Sequence, residues 1–364
     1  MIRTYAPGKL FIAGEYAVVE PGYPAILVAV DKGIIVLLEE MLERGSISSY
    51  GNLPRFWSRE NGKLILDKTD SRFSYIISAI NIVETYAKEQ GKELDYYRLE
   101  VASQLETNEG KKYGLGSSAA IIVATIRALS KHYELGVSDK ELFKLSALAN
   151  LAINSNGSCG DIAASVYGGW IAYTTFDRNW VLEQLKDSTI TQLLNKPWPS
   201  LSIEPLTPPE GLKLIIGWTG APASTSNLVA QVNDKRVKNS ISYEKFLYES
   251  KKCVNEMIIA FKENNIKEIQ KQIQINRQLL VNLGNELGIV IETPLLAKLC
   301  NIASKFNGYA KSSGAGGGDC GIAIFQDDKY LLPLIDEWEK SGIAYLPLEV
   351  YDGDRSFKFS IREI

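Results

Sequence analysis

A chain of 364 residues with 40 basic and 43 acidic side chains carries a formal net charge of −3, and its apolar share of 45% is that of an ordinary globular protein. That balance gives no general attraction to nucleic acid or an anionic membrane, so any phosphate-binding basicity has to be local. The length suits two domains, each able to bury a core, and the longest apolar runs are interrupted, by Asp31 and Lys32 for example, before they could span a bilayer.

The N-terminus, Met1 to Pro7, lacks the basic start and apolar stretch of a signal peptide. The expected location is therefore the cytoplasm. Cys159, Cys253, Cys300 and Cys320 lie far apart with no C-x-x-C spacing, which predicts reduced thiols. His132 is the single histidine, so histidine-based zinc sites and Ser-His-Asp triads are disfavoured. Its place near the end of an apolar helix reads as a surface position.

In chain order, strands are expected at Lys9–Ala13, Ala25–Val30 and Gly33–Leu38, with turns at Pro21-Gly22 and Lys32-Gly33. Further strands and loops fill 44–70. The spacing of Tyr75, Ile76, Ala79, Ile80, Val83 and Tyr86 predicts a helix over Phe73–Glu89. A short strand at Leu99–Ala102 and a polar loop lead to Lys111-Lys112-Tyr113-Gly114-Leu115-Gly116-Ser117-Ser118-Ala119-Ala120, and a helix of about Ser117–Tyr133 follows. Ser138 with Glu141 three residues on is a capping box that opens the next helix, running to Asn154. Asn156-Gly157-Ser158-Cys159-Gly160-Asp161 then delivers an aspartate onto another helix start, before a strand at Trp170–Thr174.

Pro197–Pro209 holds five prolines in thirteen residues and marks the boundary between a domain of 1–207 and one of 208–364. Leu212–Trp218 reads as a strand and Ala223-Ser224-Thr225-Ser226-Asn227 as the cap of a helix. Residues 240–305 hold three helices, interrupted near Asn264-Asn265 and Gly288–Thr293. The glycine-rich run 311–321 comes next. A strand (Ile322–Phe325), an amphipathic helix (Tyr330–Lys340) and strands at Ile343–Val350 and Phe357–Ile361 finish the chain.

The stretch 114–120 carries most of the functional information. Two glycines and two serines at the mouth of an apolar helix bare the unpaired N–H groups of its first turn at the positive end of the helix dipole, a setting that binds anions. Lys111, Lys112, Gly114, Leu115, Gly116, Ser117, Ser118 and Ala119 are therefore read as a cradle for nucleotide phosphates. The same letters fit G-x-G-x-x-[GA], but the polar residues 108–112 stand where a dinucleotide-binding turn needs a buried strand. The Walker pattern and the protein-kinase signatures are absent.

Three polar glycine loops, 7–16, 111–120 and 311–321, resemble in order and content the three signature motifs of the GHMP small-molecule kinases. Gly14-Glu15-Tyr16 and Lys311-Ser312-Ser313-Gly314-Ala315-Gly316-Gly317-Gly318-Asp319 are similar to the phosphomevalonate kinase branch of that family. The resemblance implies an α+β fold, with an N-terminal domain like ribosomal protein S5, a C-terminal ferredoxin-like α/β sandwich, and the active site between them. It implies ATP with Mg²⁺ as cofactors and transfer of the γ-phosphoryl group to the 5-phosphate of (R)-5-phosphomevalonate. Mevalonate kinase and a non-catalytic ligand sensor are the alternatives. The partner is then a small molecule, with no nucleic acid or membrane, and the chain a monomer or homodimer.

By the same resemblance Lys9 bridges donor and acceptor phosphates, with Lys111, Lys112 and Lys311 adding positive charge, and Asp161 is the catalytic aspartate. Ser117 binds the metal. Where many members carry a glutamate ligand eleven residues before the aspartate, this chain has Asn150, which leaves the carboxylate half of the metal site open. Glu15, Tyr16, Ser158, Ser312, Ser313, Gly314 and Ala315 are expected around the acceptor. Ser224 and Ser226 either hold the acceptor or simply cap their helix.

Overall fold

The computed structural model describes residues 1–49, 53–60, 63–107, 109–221, 225–236 and 240–353. The chain opens with a long hairpin: β1 (Ile2–Ala13) lies antiparallel on β2 (Pro24–Met41), with register shifts between Pro7 and Gly8 and between Phe11 and Ala13. The turn expected at Lys32-Gly33 is instead a bulged midpoint of one continuous strand. Its halves take different third neighbours: Pro24–Val28 pairs with β7 (Trp170–Thr174), and Ile34–Met41 with β6 (Tyr96–Ser103). Gly33 permits the crossing, because a side chain there would lie 2.2 Å from the Ala6 carbonyl oxygen.

Beyond β6 the sheet continues through β3 (Gly45–Ser49), β4 (Arg55–Glu60) and β5 (Lys63–Leu66), and beyond β7 it ends on β8 (Ser202–Leu206). β8 sits inside the proline-rich tract. It is an edge strand, where a missing N–H donor such as that of Pro205 is tolerated.

Four helices are packed against this sheet or one another: α1 (Ser74–Glu89), α2 (Ser117–His132), α3 (Asp139–Leu151) and α4 (Gly160–Tyr167). α3 is opened by the Ser138–Glu141 capping box and stops at Leu151, three residues before the expected end. α2 buries Ala119, Ala120, Ile122, Val123, Ala124, Ile126, Ala128 and Leu129, more than one stripe, as befits a helix covered by the sheet and by its helical neighbours. His132 corrects its surface assignment. Its side chain is 3% exposed and lies edge-on to Tyr97 and Tyr133, at centroid distances of 5.6 and 4.7 Å. Two further helices, α5 (Arg178–Asp187) and α6 (Ile190–Asn195), follow β7, capped by Asp177 and Thr189.

After β9 (Lys213–Trp218) come α7 (Thr225–Arg236), α8 (Ser240–Lys262), α9 (Ile266–Leu287) and α10 (Pro294–Lys305). β10 (Tyr309–Ser312), β11 (Cys320–Phe325), α11 (Leu331–Lys340) and β12 (Ala344–Leu346) complete the described chain. A second sheet runs β10-β11-β9-β12. The closing strand expected at Ile343–Val350 is thus confined to three residues, with an isolated bridge from Val350 to Val30. Phe357–Ile361 lies outside the described residues.

β8 ends the first sheet at Leu206 and β9 opens the second at Lys213. The apolar interior does not divide there. Val254, Met257, Phe261, Ile269 and Ile273 of α8 and α9 belong to the same buried cluster as the β2 and α2 residues. Among the described residues no helix is long and apolar enough to cross a membrane, and all four cysteines are buried and unpaired.

Candidate active site

The first, second and third glycine loops meet. Lys9 lies on β1 just past the bulge at Gly8, and its backbone N–H donates to the Leu115 carbonyl at 2.8 Å. Its ammonium donates to the Gly114 carbonyl at 3.3 Å, and the residue is 9% exposed. Gly116 caps α2 with φ of 82°, and no side chain caps the helix. A Cβ at Gly116 would lie 3.0 Å from Lys9 Cε and 3.6 Å from Asp161 Cβ. Lys9, Asp161 and the open first turn of α2 therefore converge on one point. That turn presents the N–H groups and half-buried hydroxyls of Ser117 and Ser118; among the described residues neither hydroxyl has a partner. Lys111 and Lys112 are exposed at the rim, and Lys111 lies 3.4 Å from Glu109.

Asp161 stands in the first turn of α4, where its Oδ1 accepts from the Ile162 N–H at 3.0 Å. Burial pushes its carboxyl above the ordinary value, while Lys9 and the backbone donors pull it down. The loop before it is braced from behind: the Ser158 carbonyl accepts from Tyr173 Oη (2.5 Å) and Thr175 Oγ1 (2.8 Å). Ser158 Oγ accepts from the Gly160 N–H at 3.3 Å. Asn150 Nδ2 lies 3.6 Å from Cys159 Sγ, so the residue standing at the glutamate position supports this loop. Burial pushes the Cys159 thiol up to about 12, which keeps it a neutral packing group.

The third loop holds both of the others. Asp319 has φ of 51° and sets its carboxylate against Gly114, where an added Cβ would lie 2.5 Å from Asp319 Cγ. Cys320 Sγ donates to the Tyr113 carbonyl at 3.1 Å, and Tyr113 meets Trp218 edge-on at 5.1 Å. Toward the first loop, Ser313 Oγ accepts from the Phe11 N–H and donates to its carbonyl, both at 2.9 Å, and Tyr16 Oη donates to the Ala315 carbonyl at 2.5 Å.

These bonds redirect several side chains expected to face ligand. Lys311 is fully buried, and its ammonium pairs with Glu15. Glu15 is itself 3% exposed, and Ser312 is 2% exposed within β10. Two buried neighbours neutralise each other here, so Lys311 adds no charge to the cleft. Ser224 and the side chain of Ser226 lie outside the described residues. No local signal marks Asp319, Cys320, Tyr113 and Trp218 as partners, because their contacts join positions some 100 to 200 apart in the chain.

Comparison with known proteins places the chain in a family. The family description GHMP kinases N terminal domain matches residues 74–169, and GHMP kinases C terminal matches 257–344. A phosphomevalonate kinase of Streptomyces sp. (strain CL190) is 39% identical over 361 residues, covering 95% of this chain and 96% of the relative. A mevalonate kinase of Thermococcus gammatolerans is 28% identical, covering 94% and 97%. The solved structure of Streptococcus pneumoniae phosphomevalonate kinase in complex with phosphomevalonate and AMPPNP superposes with a TM-score of 0.85 at 30% identity, covering 96% of this chain and all of that one. With the two family matches, the full-length likeness and three signature loops gathered around one helix start, this chain belongs to the GHMP kinase family.

Proposed function

We propose that this chain transfers the γ-phosphoryl group of ATP to the 5-phosphate of (R)-5-phosphomevalonate, giving 5-diphosphomevalonate and ADP. The convergence of Lys9 and Asp161 on Gly116, at the head of α2, carries the reading of phosphoryl transfer. Likeness at 39% and 30% identity to two phosphomevalonate kinases, against 28% to a mevalonate kinase, supports the choice of acceptor.

The nucleophile is a phosphate monoester whose second pKa is about 6, so at neutral pH it already carries the charge it needs. The barrier is repulsion between two polyanions, which fixed dipoles and a cation lower. In this reading the N–H groups of Ser117, Ser118 and Ala119 receive the nucleotide phosphates. Lys9 stands between donor and acceptor. Asp161 orients Lys9 and the acceptor, with proton acceptance secondary. Two lobes, divided after residue 207, face each other across this cleft.

The donor set limits how a divalent cation is held. Ser117 offers an unpartnered hydroxyl, Asn150 is turned to Cys159, and no group of three or more His, Cys, Asp or Glu side chains gathers among the described residues. Such residues suit Mg²⁺ that keeps mostly water and phosphate ligands, with Ser117 its protein contact. When bound, it would screen the β- and γ-phosphate charge.

A coupled ADP-release assay with phosphomevalonate and mevalonate side by side tests the acceptor. Turnover of the first and none of the second is expected; the reverse overturns the proposal. Asp161→Asn tests the aspartate. Its kcat should fall yet keep a pH profile set by the acceptor's own ionisation, whereas loss of a limb near a carboxylate pKa would show base catalysis. Stability gives a second measurement of the same variant. A carboxyl whose pKa is raised on folding favours the folded state below its unfolded pKa, and that support is lost as pH rises through the folded value. Asp161→Asn should therefore melt above wild type at pH 7, with the gap closing as pH falls.

A further inference from the structure

The Glu15–Lys311 pair joins residues 296 positions apart, from the two halves of the chain, and it is almost completely withdrawn from water. Lys311 Nζ also donates to the Ser312 carbonyl at 2.7 Å, and the same Glu15 oxygen, Oε1, accepts from the Gly314 N–H at 3.3 Å. The other oxygen, Oε2, is buried without a partner. An ion pair with half its carboxylate unsatisfied is a poor way to stabilise a fold, since desolvating two charges costs several kcal/mol per ion and an apolar pair of similar size often does as well. Its geometry is more informative. Glu15 Oε1 takes up the Gly314 N–H, Ile291 O takes up that of Gly317 (2.8 Å) and Ala221 O that of Asp319 (2.7 Å). Among the described residues the N–H groups of Ala315 and Gly316 take no partner. Gly316 has φ of 71°, the left-handed setting of an anion-binding backbone nest.

We propose that Glu15 and Lys311 are positioning residues: their buried pair, helped by Tyr16 on the Ala315 carbonyl, fixes the register of the third loop so that the Ala315 and Gly316 N–H groups receive the acceptor's phosphate. Neither side chain touches that phosphate. The identity of the anion rests on the reading of function above; the fixing of the loop does not.

The test replaces the pair with an apolar one, Glu15→Leu with Lys311→Met, beside Lys311→Met alone. The single variant leaves a buried carboxylate unpaired and should melt well below wild type, and the double should recover most of that loss. In the unliganded double variant, peptides covering 312–319 should exchange amide hydrogens at least tenfold faster than in wild type, with β9 and β11 unchanged. Its KM for phosphomevalonate should rise tenfold or more, with kcat and the KM for ATP within threefold. Wild-type exchange over 312–319, or a wild-type KM for phosphomevalonate, in a folded double variant would overturn the proposal. Tyr16→Phe, which removes only the Ala315 bond, gives the same readout if the double variant does not fold, with faster exchange at 312–319 expected and unchanged exchange overturning the proposal. A wild-type protein that does not phosphorylate phosphomevalonate would sink the acceptor assignment alone, leaving hydrogen exchange to decide the loop.

Discussion

Lys9→Ala is expected to lower kcat by about 100- to 1,000-fold, the loss typical of deleting a preorganised group that stabilises developing transition-state charge. The change is local. The N–H of residue 9 still donates to Leu115, and the strand pairing to Ala29 does not involve the side chain. Melting should therefore move little while turnover collapses, as steady-state kinetics and a thermal melt on one preparation would reveal. Lys9→Arg should rescue poorly, because a planar guanidinium fork does not replace the compact ammonium that donates to the Gly114 carbonyl. Near-normal turnover of the alanine variant would remove Lys9 from the mechanism.

Gly114→Ala is expected to cost both folding and activity. Its backbone sits at φ of 82°, which penalises any side chain by about 1–2 kcal/mol, and the new methyl would meet the Asp319 carboxylate at 2.5 Å. Asp319 has little freedom to retreat, since its N–H is bonded to Ala221 and its carbonyl to Thr219. The second and third loops must then part, lowering the melting temperature by several degrees and kcat/KM by about 100-fold. Gly136→Ala, at φ of 60° with nothing within 4 Å, is the matched control for backbone strain alone. It should lose stability without losing activity.

Features written in consecutive residues are legible in the sequence alone. The capping box at Ser138, the helix start at Ser117, the aspartate delivered onto α4 and the breaks at Asn264-Asn265 and Gly288–Thr293 each have a local cause, and the structure has helix boundaries at all of them. What escaped was settled by distant neighbours. Asp31-Lys32-Gly33 has the letters of a turn, yet β1, β6 and β7 pull both flanks into one bulged strand. Lys311 resembles a phosphate ligand until Glu15 is found beside it, and His132 a surface residue until Tyr97 closes over it. The arrangement of the site was legible as three motifs in order. Which of their side chains hold one another was not, because pairing across hundreds of residues leaves no local mark.

The shared interior has a consequence for how the molecule can be cut. Val254, Met257, Phe261, Ile269 and Ile273 supply on the order of 10 kcal/mol of burial to a core built mainly by the first 200 residues, comparable with the net stability of a whole domain. Either fragment made alone would bare a greasy face and aggregate, whereas the two synthesised together should find each other and reconstitute activity without a peptide bond between them.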